Sequence, residues 1–228
     1  MQRDTLEQIL AAKAEKRPVL LATNLASGEE RVIDPAFADP QDPLGAAAIA
    51  AARDDKGRIV DTPAGEVFLN VFNPPLRMLI VGAVHIAQPL AQMAVIAGFD
   101  VTIVDPRRAF ATASRFPGVA LRHGWPDEGV AEFAPDRRTA IVTLTHDPKL
   151  DDAALQGALS SDCFYIGCLG SKKTHAARLE RLRRAGFDTA ALERIHGPVG
   201  LAIGAKSPAE IAVSILAEIV SRLRGGAL

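Results

Sequence analysis

Hydrophobic residues along this chain fall into short runs separated by proline, glycine and acidic punctuation, and the spacing within each run predicts an element. Asp4 followed by Glu7 has the spacing of a capping box ahead of Ile9 and Leu10, so a first helix is expected there. Strands are expected over Pro18–Thr23 and Arg31–Ile33, joined by a turn at Ser27-Gly28. The proline-rich, acidic stretch from Asp34 to Pro43 reads as loop. An alanine-rich helix over about Leu44–Arg53 and strands around Ile59 and over Val67–Phe72 complete a first block. Asn73-Pro-Pro75 then punctuates the chain, dividing a small N-terminal α/β domain, residues 1–73, from a larger one, residues 76–228.

From Leu76 onward the runs alternate between strand and helix period. Strands are expected at Met78–Val81, Val101–Val104, Ala120–Arg122, Ala140–Leu144 and Phe164–Ile166. Helices are expected over Ile86–Ala97, Asp151–Leu159, Thr174–Ala185 and Ser207–Arg224. The last is signalled by Ser207 as cap, Pro208 at its first position and Glu210 at its third. Such alternation predicts an α/β fold: a Rossmann-like, mostly parallel sheet with helices on both faces.

Composition adds bounds. Hydrophobic residues make up 48% and charged residues 23%, ordinary for a soluble globular protein, and a net charge of −1 provides no global field for nucleic acid or an anionic membrane. The longest apolar region, from Met78 to Phe99, is broken by His85, Gln88, Pro89 and Gln92, so no membrane span is expected. The opening residues lack the apolar core of a signal peptide, and the expected location is cytoplasmic. Cys163 and Cys168 form neither a disulfide framework nor a CxxC pair. On a single strand they would face opposite ways, as buried small hydrophobes or as a thiol handling sulfur or metal.

The chemistry gathers at the ends of the predicted strands, where open α/β sheets bind ligands. Gly82 opens a glycine fingerprint with Ala87 in its third position. Val84 stands second, where glycine normally lets a pyrophosphate approach the backbone. Asp105, roughly 20 positions further on, could accept ribose hydroxyls, and Arg107 beside it could reach an additional phosphate. The strand ends therefore offer Gly82, Ala83, Val84 and His85, then Asp105 and Arg107, then Thr145, His146 and Asp147. Gly170, Ser171 and Lys172 could hold a phosphate at a helix start, and Gly204 and Lys206 lie in a loop leading to the last helix.

Each has a plainer alternative. Ser171 could simply cap its helix, Asp147-Pro148 could start the next one, and His85 could cap or support from behind. His123, His175 and His196 have no metal-ligand spacing, and neither a zinc motif nor a serine-nucleophile elbow is present, so no metal site is expected. The run from Arg178 to Arg184 reads as a basic amphipathic helix, either a solvated face or a docking surface for an acidic partner. An NAD(P)-binding oxidoreductase stays open on these residues, as does an adaptor that binds only proteins.

Several segments in order resemble the XdhC/CoxI family of accessory proteins for molybdenum hydroxylases. They are Gly82-Ala-Val-His-Ile-Ala87, Val104-Asp-Pro-Arg107, Arg115-Phe-Pro117, Thr145-His-Asp-Pro148, Tyr165-Ile-Gly-Cys-Leu-Gly-Ser171, Pro198 to Pro208 and Glu210-Ile-Ala-Val-Ser-Ile215. The resemblance implies a carrier or chaperone rather than an enzyme of known turnover. It would bind molybdenum cofactor (molybdopterin), support its sulfuration by a cysteine desulfurase, and help insert it into an apo-hydroxylase of the xanthine dehydrogenase type. Many members have a longer N-terminal domain with a glycine-rich segment ending in cysteine, which residues 1–73 do not match. Ala202 stands where aspartate is common and Val84 replaces a frequent glycine. A homodimer is also expected, from the apolar composition.

Overall fold

The structure, a computed structural model, describes residues 2–226. The expected domain ends at positions 1 and 228 lie outside them. The chain divides into two compact units, Met1–Pro74 and Pro75–Leu228.

In the first unit, β1 (Val19–Asn24), β2 (Glu30–Ile33), β3 (Arg58–Thr62) and β4 (Gly65–Phe72) form an antiparallel sheet in the order β2-β1-β4-β3. Alternation along β1 divides its side chains between two cores. Leu20 and Ala22 pack with Leu44, Ala48 and Ala51 of α2 (Pro43–Asp54), while Val19 and Leu21 pack with Ile9 and Ala12 of α1 (Arg3–Ala14). Asp42 caps α2 by accepting from Gly45 N–H at 3.0 Å. The capping box expected at Asp4 does not form: Gln2 holds the cap position without a side-chain bond, Asp4 lies inside the first turn, and Glu7 pairs with Arg3 at 2.9 Å.

The second unit is built on β5 (Leu76–Val81), β6 (Phe99–Val104), β7 (Ala120–Arg122), β8 (Thr139–Thr143), β9 (Tyr165–Cys168) and β10 (Ile195–His196). All pair in parallel, in the order β10-β9-β8-β5-β6-β7. Central strands buried on both faces need apolar residues at every position, and β5 supplies them: Met78 and Ile80 face one core, Leu79 and Val81 the other. α3 (Ala87–Ile96) and α8 (Pro208–Arg224) cover the first face. The second is covered by α4 (Pro126–Phe133), α5 (Pro148–Leu159), α6 (Lys172–Arg184) and the short α7 (Thr189–Leu192).

The pattern did not predict α4, α7 or β10. Gly129 inside α4 hides its helical character, yet the glycine is required: a Cβ there would sit 2.7 Å from Val104 of the underlying strand. The opposite-faces reading of the cysteines is also corrected. Cys163 precedes β9 rather than lying on it, so both thiols are free and line the same core.

The carboxyl edge as candidate functional site

The strand order reverses at β5. The chain leaves β5 toward α3 and pairs next through β6 on one side, whereas β8, on the other side, sends its chain to α5 on the opposite face. The loops after β5 and β8 therefore head for opposite faces of the sheet, and such switch points are where ligands of these sheets bind.

Gly82 holds the β5 side of this point. Its φ is +106° and its N–H donates to Val104 C=O at 2.9 Å. A Cβ at this position would lie 2.6 Å from Thr145 Cγ2, so only glycine lets the two loops approach so closely. The next residue is clamped on both sides of its peptide unit. Ala83 N–H donates to Asp105 Oδ2 at 2.8 Å, and Ala83 C=O accepts from Arg115 Nη1 at 2.9 Å. Beyond it Val84 packs, half-buried, against the α3–α8 core, and His85 is exposed. Ile86 precedes α3 without a side-chain cap; Ala87 N–H donates to Val84 C=O at 3.1 Å and Pro89 has no N–H, which leaves Gln88 N–H in the first helical turn.

Asp105 behaves differently from the expectation of a ribose acceptor. It is fully buried and its oxygens accept from Ala83 N–H, from Arg107 N–H at 2.8 Å, and from Arg107 Nε and Nη2 at 2.9 and 2.7 Å. Burial pushes its pKa up, but these donors outweigh it and hold the carboxyl below its usual range. Asp105 thus shapes the loop, and Arg107, which keeps exposed surface and stacks over Phe110 at 4.6 Å, presents the charge. The Arg107 guanidinium is raised first by Asp105 and also by Asp147, which brings the loops after β6 and β8 within electrostatic reach across β5.

On the β8 side, Thr145 donates its hydroxyl to Asp151, and Asp151 pairs with Arg178 at 3.2 Å. Both charged side chains are almost entirely buried, at 1% and 2% exposure. Arg178 Nη2 also donates to Leu169 C=O at 2.9 Å, joining the loops after β8 and β9 through one guanidinium. Burial raises Asp151, against the opposing pull of Thr145 and Arg178. Asp147 caps α5 through Lys149 N–H at 2.9 Å, and His146, exposed between them, adopts a φ of +66° that a non-glycine residue rarely holds.

At the third loop, Gly170 has a φ of +146° and Ser171 caps α6, accepting from Thr174 N–H at 3.1 Å. Lys172 is exposed. The hydroxyl expected to receive a phosphate here is thus already engaged. Further along, Gly204 and Lys206 are exposed in the loop before α8, and Glu210 gathers the N–H groups of Lys206 and Ser207 at 2.8 and 2.9 Å. The structure therefore brings Gly82, Ala83, Val84 and His85 next to Thr145, His146 and Asp147, with Arg107 facing them. Gly170, Ser171 and Lys172 lie one strand further out, where β9 passes into α6.

Sequence reasoning missed the residues that hold this edge from behind. Arg178 was placed in a solvated or docking run, but it points inward. Arg181 pairs with Asp152, and Arg183 and Arg184 pair with Glu180, so most of the run is neutralised within the protein. The available signal was spacing: Arg178 stands four positions before Leu182, on the inward face of its helix. The two cysteines offer no reactive thiol. Burial raises both, and Cys168 is pushed up to about 12. Among the described residues no cluster of three or more His, Cys, Asp or Glu is arranged to hold a metal ion, and no helix is long and apolar enough to cross a membrane. The first unit has a separate hollow of about 330 Å³, lined in part by Asn24, Arg31, Leu44 and Thr62, which none of the expected site residues reaches.

A parallel sheet, a glycine turn at its point of reversal and a helix following that turn define a Rossmann-type domain. Residues 78–219 match the XdhC Rossmann domain, and the chain belongs to that family. It is 36% identical over 155 residues to a protein of Bacillus subtilis named as a probable xanthine dehydrogenase subunit, covering 68% of this chain and 45% of that one. It is 32% identical over 150 residues to the molybdenum cofactor insertion chaperone PaoD of Escherichia coli, covering 66% and 41%. An uncharacterised E. coli protein, YqeB, is 34% identical over 158 residues, covering 69% and 29%. The chain thus spans less than half the length of these relatives. A crystal structure described as a xanthine dehydrogenase from Bacillus halodurans shares the fold, with a TM-score of 0.70 at 23% identity over 98% of this chain and 65% of that one.

Proposed function

We propose that the carboxyl edge binds molybdenum cofactor by its phosphate, and that the protein serves a cytoplasmic molybdenum hydroxylase of the xanthine dehydrogenase type as a maturation factor. In this reading it is a carrier rather than a catalyst, with residues 1–73 and 76–228 as its domains. The observation that carries the reading is the clamped Ala83 ahead of the uncapped start of α3. A turn fixed through both its N–H and its C=O presents the Gln88 N–H that follows in one orientation, which suits a phosphate. Arg107 and His85 would meet the phosphate charge, and Thr145, His146 and Asp147 would border the ligand. Gly170, Ser171, Lys172, Gly204 and Lys206 would lie along its outer end. When bound, the group supplies the molybdenum centre for its eventual host enzyme.

The names of two relatives, one a xanthine dehydrogenase component and the other a molybdenum cofactor insertion chaperone, support the same direction. The buried Asp105 argues against the NAD(P) alternative, since ribose recognition needs an accessible carboxylate. With Cys163 and Cys168 both buried, sulfur for the cofactor would come from a partner cysteine desulfurase. A homodimer completes the proposal; light scattering measures it. The functional test is purification after co-expression with the cofactor pathway, followed by mass spectrometry of released ligands. Pterin and molybdenum in stoichiometric amount support the reading. Their absence, with hydroxylase activation unchanged when the protein is deleted, overturns it.

A further inference from the structure

A second polar arrangement joins Tyr165 at the start of β9, His196 at the end of β10 and Glu218 of α8. Glu218 of α8 is 7% exposed, and its Oε2 accepts from the Tyr165 hydroxyl at 2.6 Å and from Gly200 N–H at 2.7 Å. Its Oε1 faces His196 Nδ1 at 3.1 Å. The imidazole stacks on the Tyr165 ring, with centroids 4.9 Å apart and planes within 11°. Burial opposes its charge, but His196, Tyr165 and Gly200 together hold Glu218 below the usual carboxylate range, and a carboxylate 3.1 Å from Nδ1 favours the neutral imidazole tautomer with its proton on that nitrogen. Nε2 is then left with its lone pair free. Among the described residues it has no partner, and the side chain retains 21% exposure.

A histidine serving only to brace β10 has no need of a fixed tautomer and a braced ring plane with one nitrogen left open. His196 ends β10 beside Gly167, level with Val142 and Ile80 and so two residues short of Gly82 along the strand direction. Adjacent strands lie about 4.8 Å apart, so His196 stands roughly 14 Å across the sheet from β5. An extended cofactor with its phosphate at α3 would carry its heterocyclic end toward this position.

Resting on the reading that this edge holds a phosphate-bearing heterocyclic cofactor, we propose that His196, oriented by Glu218 and braced by Tyr165, accepts a hydrogen bond from a heterocyclic N–H of that cofactor. Glu218→Gln isolates the idea. Tyr165 and Gly200 both donate toward Oε2, so the amide oxygen must take that place and the amide NH2 must face Nδ1. All bonds persist, but the imidazole proton moves to Nε2, and an acceptor becomes a donor.

The test uses the full chain and molybdenum cofactor released anaerobically from a purified molybdenum hydroxylase as the probe. Affinity, urea stability and the ¹⁵N shifts of the imidazole are measured for wild type, Glu218→Gln and His196→Ala. The expected result is a switched tautomer in Glu218→Gln with near-wild-type stability, and binding weakened about three- to tenfold in both variants. If wild type binds the probe and both variants bind as well or better, the role of His196 is overturned while the cofactor reading stands. If wild type itself does not bind, the cofactor reading fails and takes this proposal with it.

Discussion

Asp105 accepts the N–H of Ala83 at 2.8 Å across 22 positions of sequence, and this bond sets the turn at the carboxyl end of β5. Replacing Asp105 with asparagine leaves a donor facing either Ala83 N–H or Arg107. The expected loss is about 1–3 kcal/mol at neutral pH, read by urea unfolding. The sign of the pH dependence follows from the lowered pKa. A carboxyl depressed on folding stabilises above its unfolded pKa and loses that contribution as pH falls through its folded one. The gap between wild type and Asp105→Asn should therefore be full above about pH 4 and close on further acidification.

Gly82→Ala combines an unfavourable φ with a collision. The two can be separated because the struck atom is Thr145 Cγ2. The single variant should lose about 2–4 kcal/mol, and Thr145→Ser in the same chain should recover part of it by removing that methyl. A double-mutant cycle in urea measures the coupling. Strict additivity would contradict the contact.

Arg178→Met leaves Asp151 buried without its cation and Leu169 C=O without its donor. A loss of about 3–5 kcal/mol is expected, and the further change Asp151→Asn should restore some of it. In the single variant the uncompensated Asp151 takes up a proton on folding, so its stability should rise as pH is lowered toward the acid range, before other carboxylates titrate. Thermal unfolding across pH follows this directly.

Neither cysteine should react in the native state. With Cys168 pushed up to about 12 and both thiols buried, alkylation by iodoacetamide at pH 8 should be slow and should accelerate on addition of urea. Rapid native labelling of Cys168 would mean that the β9 end opens readily.

The parallel sheet was legible because its central strands are short and mostly apolar, with glycine, proline or polar residues between them. That holds for Met78–Val81, and Ser207 with Glu210 marks α8 as clearly. The turn at Gly82 could be read for the same reason: its glycine answers to local backbone demands. The supports behind the edge could not be read. Arg178 looks solvated until a partner carboxylate is known to lie inside, and that partner, Asp151, is 27 positions away. Glu218 resembles any helix-face glutamate until Tyr165, His196 and Gly200 converge on it from β9, β10 and a loop. α4 was hidden because Gly129 serves packing against Val104 at the expense of helix propensity.

In the proposed function, the edge beginning at Gly82 carries a phosphate-bearing molybdenum cofactor. Mass spectrometry of ligands released from freshly purified protein, co-expressed with the cofactor pathway, tests it most directly. Pterin and molybdenum are expected together in near-equimolar amount, falling sharply in a chain whose Ala83 turn is disrupted by Asp105→Asn. Purified protein that carries no pterin, or that carries NAD(P) in its place, would contradict it.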